Sequence, residues 1–136
     1  MTQPTEWPNL EFEADSFVGP FNQQSVSGFE SWLHRNGRSA IKFDATYLEF
    51  LKHHHGGSPR KKNFVTCMGT DHVLEDFGHF DDTLQASNPL QEYHVATMWS
   101  NASDRLGPCL MPFAELFAGD MLCFDHAKPG RPKVVV

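Results

Sequence analysis

Three adjacent histidines, His53, His54 and His55, are the first residues that suggest chemistry, because imidazole binds metal ions and transfers protons near neutral pH. Consecutive residues on a helix point about 100° apart, so these rings cannot share one metal ion as an i, i+4 pair can. Histidine in a last helical turn also interacts favourably with the helix dipole. We interpret the run as a helix end, and a metal site is the alternative.

A glycine pair and a basic run follow the histidines. Gly56-Gly57-Ser58-Pro59 leads into Arg60-Lys61-Lys62, and glycines close to lysines occur in phosphate-binding loops. The GxxxxGK[ST] motif is absent, however, and here the glycines follow a predicted helix instead of preceding one. We therefore interpret this stretch as a solvated turn.

Four aspartates are candidates for a carboxylate metal site that hydrolyses phosphoesters, namely Asp81, Asp82, Asp120 and Asp125. Their spacing is not specific for such a site. Asp120 directly follows Gly119, and this pair is typical of a tight turn in which the carboxylate accepts nearby amides. We favour a structural role for these residues over a catalytic one.

No pattern for nucleophilic catalysis is present. The sequence has no GxSxG motif, and none of its three cysteines, Cys67, Cys109 and Cys123, has a recognisable nucleophile context. An odd number of cysteines without CxxC spacing also argues against disulfides and a zinc ribbon. We predict buried thiols, no catalytic residues, no cofactor and no metal, and hence a protein that is not an enzyme.

The chain has 136 residues, the size of one domain, and a net charge of −6 from 11 basic and 17 acidic residues. This balance disfavours direct binding of nucleic acid, which needs a basic surface. It suits a solvated surface or the capture of a basic protein. There is no membrane-spanning apolar run and no signal peptide pattern. We expect a cytoplasmic protein, a monomer or weak dimer, that does not bind membranes.

Local signals predict three helices. The first is expected to start with a capping box at Ser27 and Glu30 and to end at Gly37. The second is expected to start at Asp44, with Phe43 and Leu48 as a hydrophobic staple, and to stop at Gly56-Gly57. The third is expected to begin near Asn88 and Pro89 and to end at Gly107.

Strand signals occur at 63–68, and residues 72–80 predict a weaker strand pair or a strand and turn. The closing segment from Pro112 to Val136 predicts strand, tight turn at Gly119-Asp120, strand, loop and strand. This order of elements favours an α+β fold with a mainly antiparallel sheet. We assign residues 1–25 to an acidic, extended lead-in and residues 26–136 to one domain.

Two segments resemble the signatures of the SUKH superfamily of cell-wall-regulator-type and toxin-immunity domains. The first is a helix followed by a glycine pair, FDATYLEFLKHHHGGSP, and the second is the closing segment with its Phe-Ala, Gly-Asp and Leu-x-Phe-Asp elements. The signature positions, which we expect to be structural, are Tyr47, Phe50, Leu51, Gly56, Gly57, Pro59, Phe113, Gly119, Asp120, Leu122, Phe124 and Asp125. Family members commonly continue beyond the position of Val136, so we expect a truncated or diverged C-terminus.

The resemblance implies a strongly curved antiparallel sheet packed against helices, and a non-enzymatic role. Many bacterial members look like immunity proteins that neutralise a cognate polymorphic toxin, often a nuclease, and others are regulatory scaffolds. The acidic and aromatic stretch around residues 75–82 is a candidate surface for a basic toxin. We predict as partner-binding residues Glu75, Asp76, Phe77, Phe80, Asp81 and Asp82. The alternatives are a scaffold without a toxin partner and a metal-dependent hydrolase that uses histidine and aspartate.

Overall fold

The computed structural model describes residues 12–13, 20–60, 63–65, 69–85, 87–128, 130 and 132–136. In these residues the elements follow one another as α1 (Gln23–Arg35), α2 (Ala45–His53), β1 (Asn63–Val65), β2 (Asp71–Phe77), α3 (Val95–Leu106), β3 (Leu110–Leu116), β4 (Met121–Asp125) and β5 (Lys133–Val135). Two short 3₁₀ helices lie at Pro89–Tyr93 and Phe117–Gly119.

The five strands form one antiparallel sheet whose order in space equals their order along the chain, β1-β2-β3-β4-β5. The predicted α+β class with a mainly antiparallel sheet is therefore confirmed. Irregularities interrupt the ladder between Leu74 and Asp76 and between Pro112 and Ala114. Bulges of this kind increase the local twist and change which side chains leave the sheet on a given face.

The core lies between the helices and the sheet and consists mainly of aromatic and aliphatic side chains. Trp99 of α3 packs edge-on against Phe29 and Trp32 of α1, with ring centroids 6.2 and 5.5 Å away. The buried cluster contains Phe12, Val26, Leu33, Ile41, Phe43, Tyr47, Phe50, Leu51, Leu74, Phe80, Val95, Met111, Phe113, Ala114, Leu116 and Leu122.

Helix α1 begins at Gln23, so the predicted capping box at Ser27 is wrong. The N-cap is Asn22, whose side chain accepts the Gln24 N–H at 2.9 Å, and asparagine caps helices as well as serine does. Glu30 accepts the Phe43 N–H at 2.8 Å and so joins α1 to the segment that precedes α2. Gly37, at φ +85°, follows the C-cap residue and ends the helix as predicted.

Helix α2 has the predicted N-cap, because the Asp44 carboxylate accepts the Thr46 N–H at 2.9 Å. The helix ends at His53, before the predicted stop at Gly56-Gly57. The glycine pair has positive φ angles, +79° and +101°. Its second residue pairs with the end of β2, where the Phe77 N–H donates to the Gly57 carbonyl at 2.8 Å. The glycines therefore connect α2 to the end of β2.

The predicted start of the third helix at Asn88 is wrong. Asn88 does cap a helix, but this is the 3₁₀ helix Pro89–Tyr93, and α3 starts only at Val95 with His94 as its N-cap. The break arises from a distant contact, because His79 and His94 form a bridge between two chain segments. The His79 N–H donates to Tyr93 and the Val95 N–H donates to His79. Gly107 ends α3 as predicted.

The closing segment has the predicted order of strand, turn, strand, loop and strand. Ala118 and Gly119 form the turn with φ angles of +71° and +86°, and the Leu116 N–H donates to the Asp120 carbonyl at 2.7 Å. Of the strand predicted at 63–68, residues 63–65 form β1 and residues 66–68 lie outside the described part. The segment predicted at 72–80 forms β2, which ends at Phe77.

Part of the predicted lead-in contacts the fold. Phe12 is buried, pairs with Pro59 and stacks on His54 at 4.5 Å between ring centroids. The Glu13 N–H donates to the Ser58 carbonyl at 2.8 Å. Residues 1–11 and 14–19 lie outside the described part, and the domain boundary at residue 26 stays a prediction. None of the helices in the described ranges has the length and apolar character needed to cross a membrane.

Candidate functional site: an acidic face on the sheet

Four carboxylates, which we call the acidic face, meet where β2 pairs with β3. Asp76 lies directly opposite Glu115 in the antiparallel ladder, and Glu75 occupies the adjoining irregularity. Glu115 alternates with the buried residues Ala114 and Leu116, so its side chain leaves the sheet on the side away from the core. Glu92 approaches from the 3₁₀ helix and acts electrostatically on Glu115.

The carboxylates of this face act electrostatically on Glu115 and on Tyr93. Partial burial is the main cause that raises the pKa of Glu115, and the repulsion of Glu92, Glu75 and Asp76 raises it further. Tyr93 lies in the same field, with its hydroxyl hydrogen-bonded to Asp76. Burial and then the charges of Asp76, Glu92 and Glu115 raise the pKa of this phenol well above its usual range. A cationic surface would relieve this repulsion.

The two aromatic residues predicted to anchor a partner occupy different environments. Phe80 is only 1% exposed and packs in the core against Phe43 at 5.5 Å, so the expectation that it is exposed is wrong. Its acidic neighbours in sequence suggested a surface position, but its ring points inward. Phe77 is half-buried and contacts Phe50 and Phe12 at 5.0 and 5.8 Å between ring centroids.

The two aspartates that follow Phe80 also differ from each other. Asp81 is buried, and its carboxylate accepts both the N–H and the hydroxyl of Thr83, at 2.9 and 2.5 Å. The bond from this hydroxyl is the main cause that lowers the pKa of Asp81. Asp82 is exposed and accepts a bond from His94 Nε2 at 2.8 Å. Asp82 is therefore open to a partner, whereas Asp81 shapes the loop.

The signature residues are mostly structural in their contacts. Tyr47, Phe50, Leu51, Gly56, Gly57, Pro59, Phe113 and Leu122 are buried, whereas Gly119 and Asp120 are exposed in the turn. Phe113 and Phe124 stack at 4.1 Å, and Tyr47 packs edge-on against Phe124 at 4.9 Å. Asp125 ends β4 and accepts the Ala127 N–H at 2.9 Å. The aromatic members surround an open pocket of about 320 Å³ between α2 and the sheet.

The histidine run diverges in space. His53 is exposed at the end of α2, His54 stacks on Phe12, and His55 is buried and accepts the Phe80 N–H at 2.9 Å. His79 and His94 are also buried, and each accepts a backbone N–H with its Nδ1. Within the described ranges no three histidine, cysteine, aspartate or glutamate side chains are grouped so that they could hold a metal ion.

The cysteines and the basic turn residues that the structure describes have contacts typical of a folded core or a surface loop. Cys123 is buried, and burial raises the pKa of its thiol to about 11, while Cys109 is half-buried. The Arg60 side chain donates to the Phe12 carbonyl at 3.1 Å. Cys67, Lys61 and Lys62 lie outside the described residues.

Two members of the acidic face, Glu92 and Glu115, were missed by the sequence reasoning. Glu115 lies in the closing segment, which was predicted as strand without a functional role, and Glu92 lies in a predicted helix. The alternation of Glu115 with apolar residues was the signal that could have placed it on the outer face. Both residues come close to Asp76 only through the β2–β3 pairing, and no short sequence pattern around them predicts this.

The fold and this face define the class, an α+β domain with an antiparallel meander and an acidic outer surface. Residues 21–136 match the model of the SMI1 / KNR4 family (SUKH-1), and the chain belongs to this family. The family is consistent with toxin immunity and with protein–protein interaction, and its domains are generally non-enzymatic immunity or regulatory proteins. Neither the curated proteins nor the solved structures compared with the chain gave a match.

Proposed function

We propose that this chain is a non-enzymatic, cytoplasmic immunity protein that binds and neutralises a cognate bacterial polymorphic toxin through a protein–protein interface. Membership of the SUKH-1 family supports the general role. The partner that fits the chain's charge of −6 is a basic protein, and a nuclease is the toxin class that we favour.

The observation that carries this proposal is the cross-strand pair of Asp76 and Glu115, with Glu75 and Glu92 beside it. Two like charges opposite each other weaken a sheet. A cationic partner close to these carboxylates reduces the repulsion between them, which favours binding. A nuclease presents a basic surface that normally contacts phosphates, and carboxylates on a rigid sheet can occupy the same positions. Such complementarity speeds association and fixes orientation.

Of the residues predicted from the sequence, Glu75, Asp76 and Asp82 stay in the proposed interface, and Phe77 lies at its margin. The side chains of Phe80 and Asp81 are buried, and we assign them to the support of the loop that carries Asp82. Glu92 and Glu115 are added to the interface.

The test combines a growth assay and a binding assay with the protein encoded beside this chain's gene. Co-expression should rescue growth from that protein's toxicity, and the purified proteins should form a complex. Replacing Asp76 and Glu115 by lysine should lower the association rate constant by about tenfold or more at low salt. The control is Asp104→Lys on α3, which reverses one charge outside the acidic face. Unimpaired rescue by the doubly reversed variant would contradict the proposed surface.

The alternatives have distinct outcomes. A neighbouring gene product that is neither toxic nor bound would favour a regulatory scaffold. The hydrolase alternative predicts stoichiometric zinc or manganese in the purified protein, which elemental analysis measures. We expect none, because His55, His79 and His94 already bond to backbone groups.

A further inference from the structure

A shallow groove of about 450 Å³, which we call the apolar groove, lies between the β1–β2 hairpin and the 3₁₀ turn after β3. Three of its apolar side chains are exposed, Val65 by 62%, Val73 by 36% and Phe117 by 66%. Among the described residues, these are half of the exposed large apolar side chains, the others being Trp32, Val134 and Val136. Single exposed apolar residues are common, but a cluster indicates an interaction site.

The sheet register brings these side chains together. Val73 lies opposite Asn63 of β1, and the pairing of Leu74 with Leu116 brings Val73 next to Phe117. Leu74 and Leu116 are buried, so their neighbours Val73 and Phe117 face away from the core. The ring of Phe117 is thus held at the surface by a turn whose backbone is fixed on both sides by strands.

Carboxylates surround the apolar groove. Asp71 and Asp120 are exposed and line it. Glu115 lies two residues before Phe117 and Glu75 two residues after Val73, so the groove continues into the acidic face. The described lining residues include no lysine or arginine. An apolar centre with a charged rim is the usual organisation of a protein–protein interface.

We propose that the apolar groove is the central contact of the partner interface and receives an apolar side chain that basic residues of the toxin surround. This inference rests on the proposed immunity function and identifies where its anchor lies. A second copy of the chain fits poorly, because it would bring the carboxylates at Asp71, Asp120 and Glu115 against identical charges. A basic protein meets both the apolar centre and the acidic rim.

The experiment measures the affinity of the full chain for a catalytically inactivated form of the neighbouring toxin. The test variant is Val73→Ser combined with Phe117→Ser, and the control is Val134→Ser, which removes an exposed valine from β5, outside the apolar groove. We expect the test variant to bind about 30-fold more weakly and the control to stay within about twofold of wild type. Phe117→Leu should retain most of the affinity because it keeps an apolar anchor.

The two proposals fail in different ways. Wild-type affinity in the folded test variant, checked by thermal unfolding, would overturn the groove proposal while leaving the immunity function intact. A neighbouring protein that wild type neither binds nor neutralises would overturn both. Dimerisation in analytical ultracentrifugation that the two serine substitutions abolish would assign the groove to a second copy and overturn the toxin as its occupant.

Discussion

Asp76 and Glu115 are direct cross-strand partners, so two carboxylates are adjacent at a position where opposite charges would stabilise the sheet. Tyr93 donates a hydrogen bond to Asp76. The charge of Asp76 adds to burial in raising the pKa of Glu115, so the effect of this pair on stability is measurable.

Glu115→Gln should raise the free energy of unfolding at pH 7 by about 0.2–1 kcal/mol while weakening toxin binding. Burial and the neighbouring carboxylates raise the pKa of Glu115, so ionisation is costlier in the folded state than in the unfolded state. The cost is absent below the unfolded pKa, appears as pH rises through the folded pKa, and is complete above it. The gain from Glu115→Gln should therefore vanish near about pH 3.

Urea unfolding at pH 7 and at low pH measures this effect. Glu49→Gln on α2 is the control, because Glu49 faces Lys52 at 3.6 Å and its neutralisation should not stabilise the protein. Equal effects of the two substitutions at pH 7 would show that Asp76 and Glu115 do not repel each other.

Buried histidines should make the fold sensitive to acid. The pKa of His79 is lowered to about 4, mainly by burial and also by the charges of His94 and His55, against the opposing effects of its bond to Leu90 and of Asp81. Neutral His79 accepts the Asp81 N–H and donates to the Leu90 carbonyl at 2.8 Å. A lowered pKa means stability that is present above pH 6.5 and lost as pH falls towards about 4.

His79→Gln removes this titration. Wild type should lose about 1–3 kcal/mol more than the variant between about pH 6.5 and 4.5, although the variant is less stable at pH 7. His53→Gln, at an exposed position, should keep the wild-type pH profile. Parallel profiles for wild type and His79→Gln would show that another group causes the acid sensitivity. His126, whose pKa is also lowered mainly by burial, would be that candidate.

Two glycine substitutions should have opposite effects. A Cβ atom at Gly78 would lie 2.7 Å from Val95 Cγ2 and 3.1 Å from the Phe113 carbonyl, so Gly78→Ala should destabilise by about 1–3 kcal/mol. Gly28 lies inside α1 with nothing within 4 Å of the added atom. Gly28→Ala should stabilise by about 0.5–1 kcal/mol because alanine favours helix. Thermal unfolding of both variants measures the difference, and equal signs would refute the close packing at Gly78.

The hydroxyl of Tyr47 should be dispensable for stability. It is buried without a hydrogen-bond partner among the described residues, whereas the Tyr93 hydroxyl bonds to Asp76. Tyr47→Phe should be neutral or stabilising by up to about 1 kcal/mol, and Tyr93→Phe should cost about 1 kcal/mol. Chemical denaturation distinguishes them, and a comparable loss in both variants would contradict this assignment.

Signals confined to a few residues predicted the structure best. The Asp44 cap and the Gly107 helix end were predicted because their partners lie within one turn. The start of α3 was predicted wrongly because the bridge between His79 and His94 joins residues that are far apart in sequence. No local pattern encodes that bridge.

In the candidate site, too, features set by neighbouring residues were predicted and those set by distant contacts were not. Glu75 and Asp76 were recognised as adjacent acidic residues, whereas their proximity to Glu92 and Glu115 arises only when β2 pairs with β3. Phe80 was placed at the surface because of its acidic neighbours, although the loop turns its ring into the core. Charge in the flanking residues is a poor guide to the direction of one side chain.

The meander order of the strands has a consequence for how the protein folds. Each strand pairs with the next one along the chain, so most of the sheet can form from neighbouring hairpins with little loss of loop entropy. The β2–β3 pairing is the exception, because the 3₁₀ helix at Pro89–Tyr93 and α3 lie between its strands. We expect this pairing to close late in folding. The acidic face would then exist only once the chain is almost completely folded, and partly folded molecules could not capture a partner there.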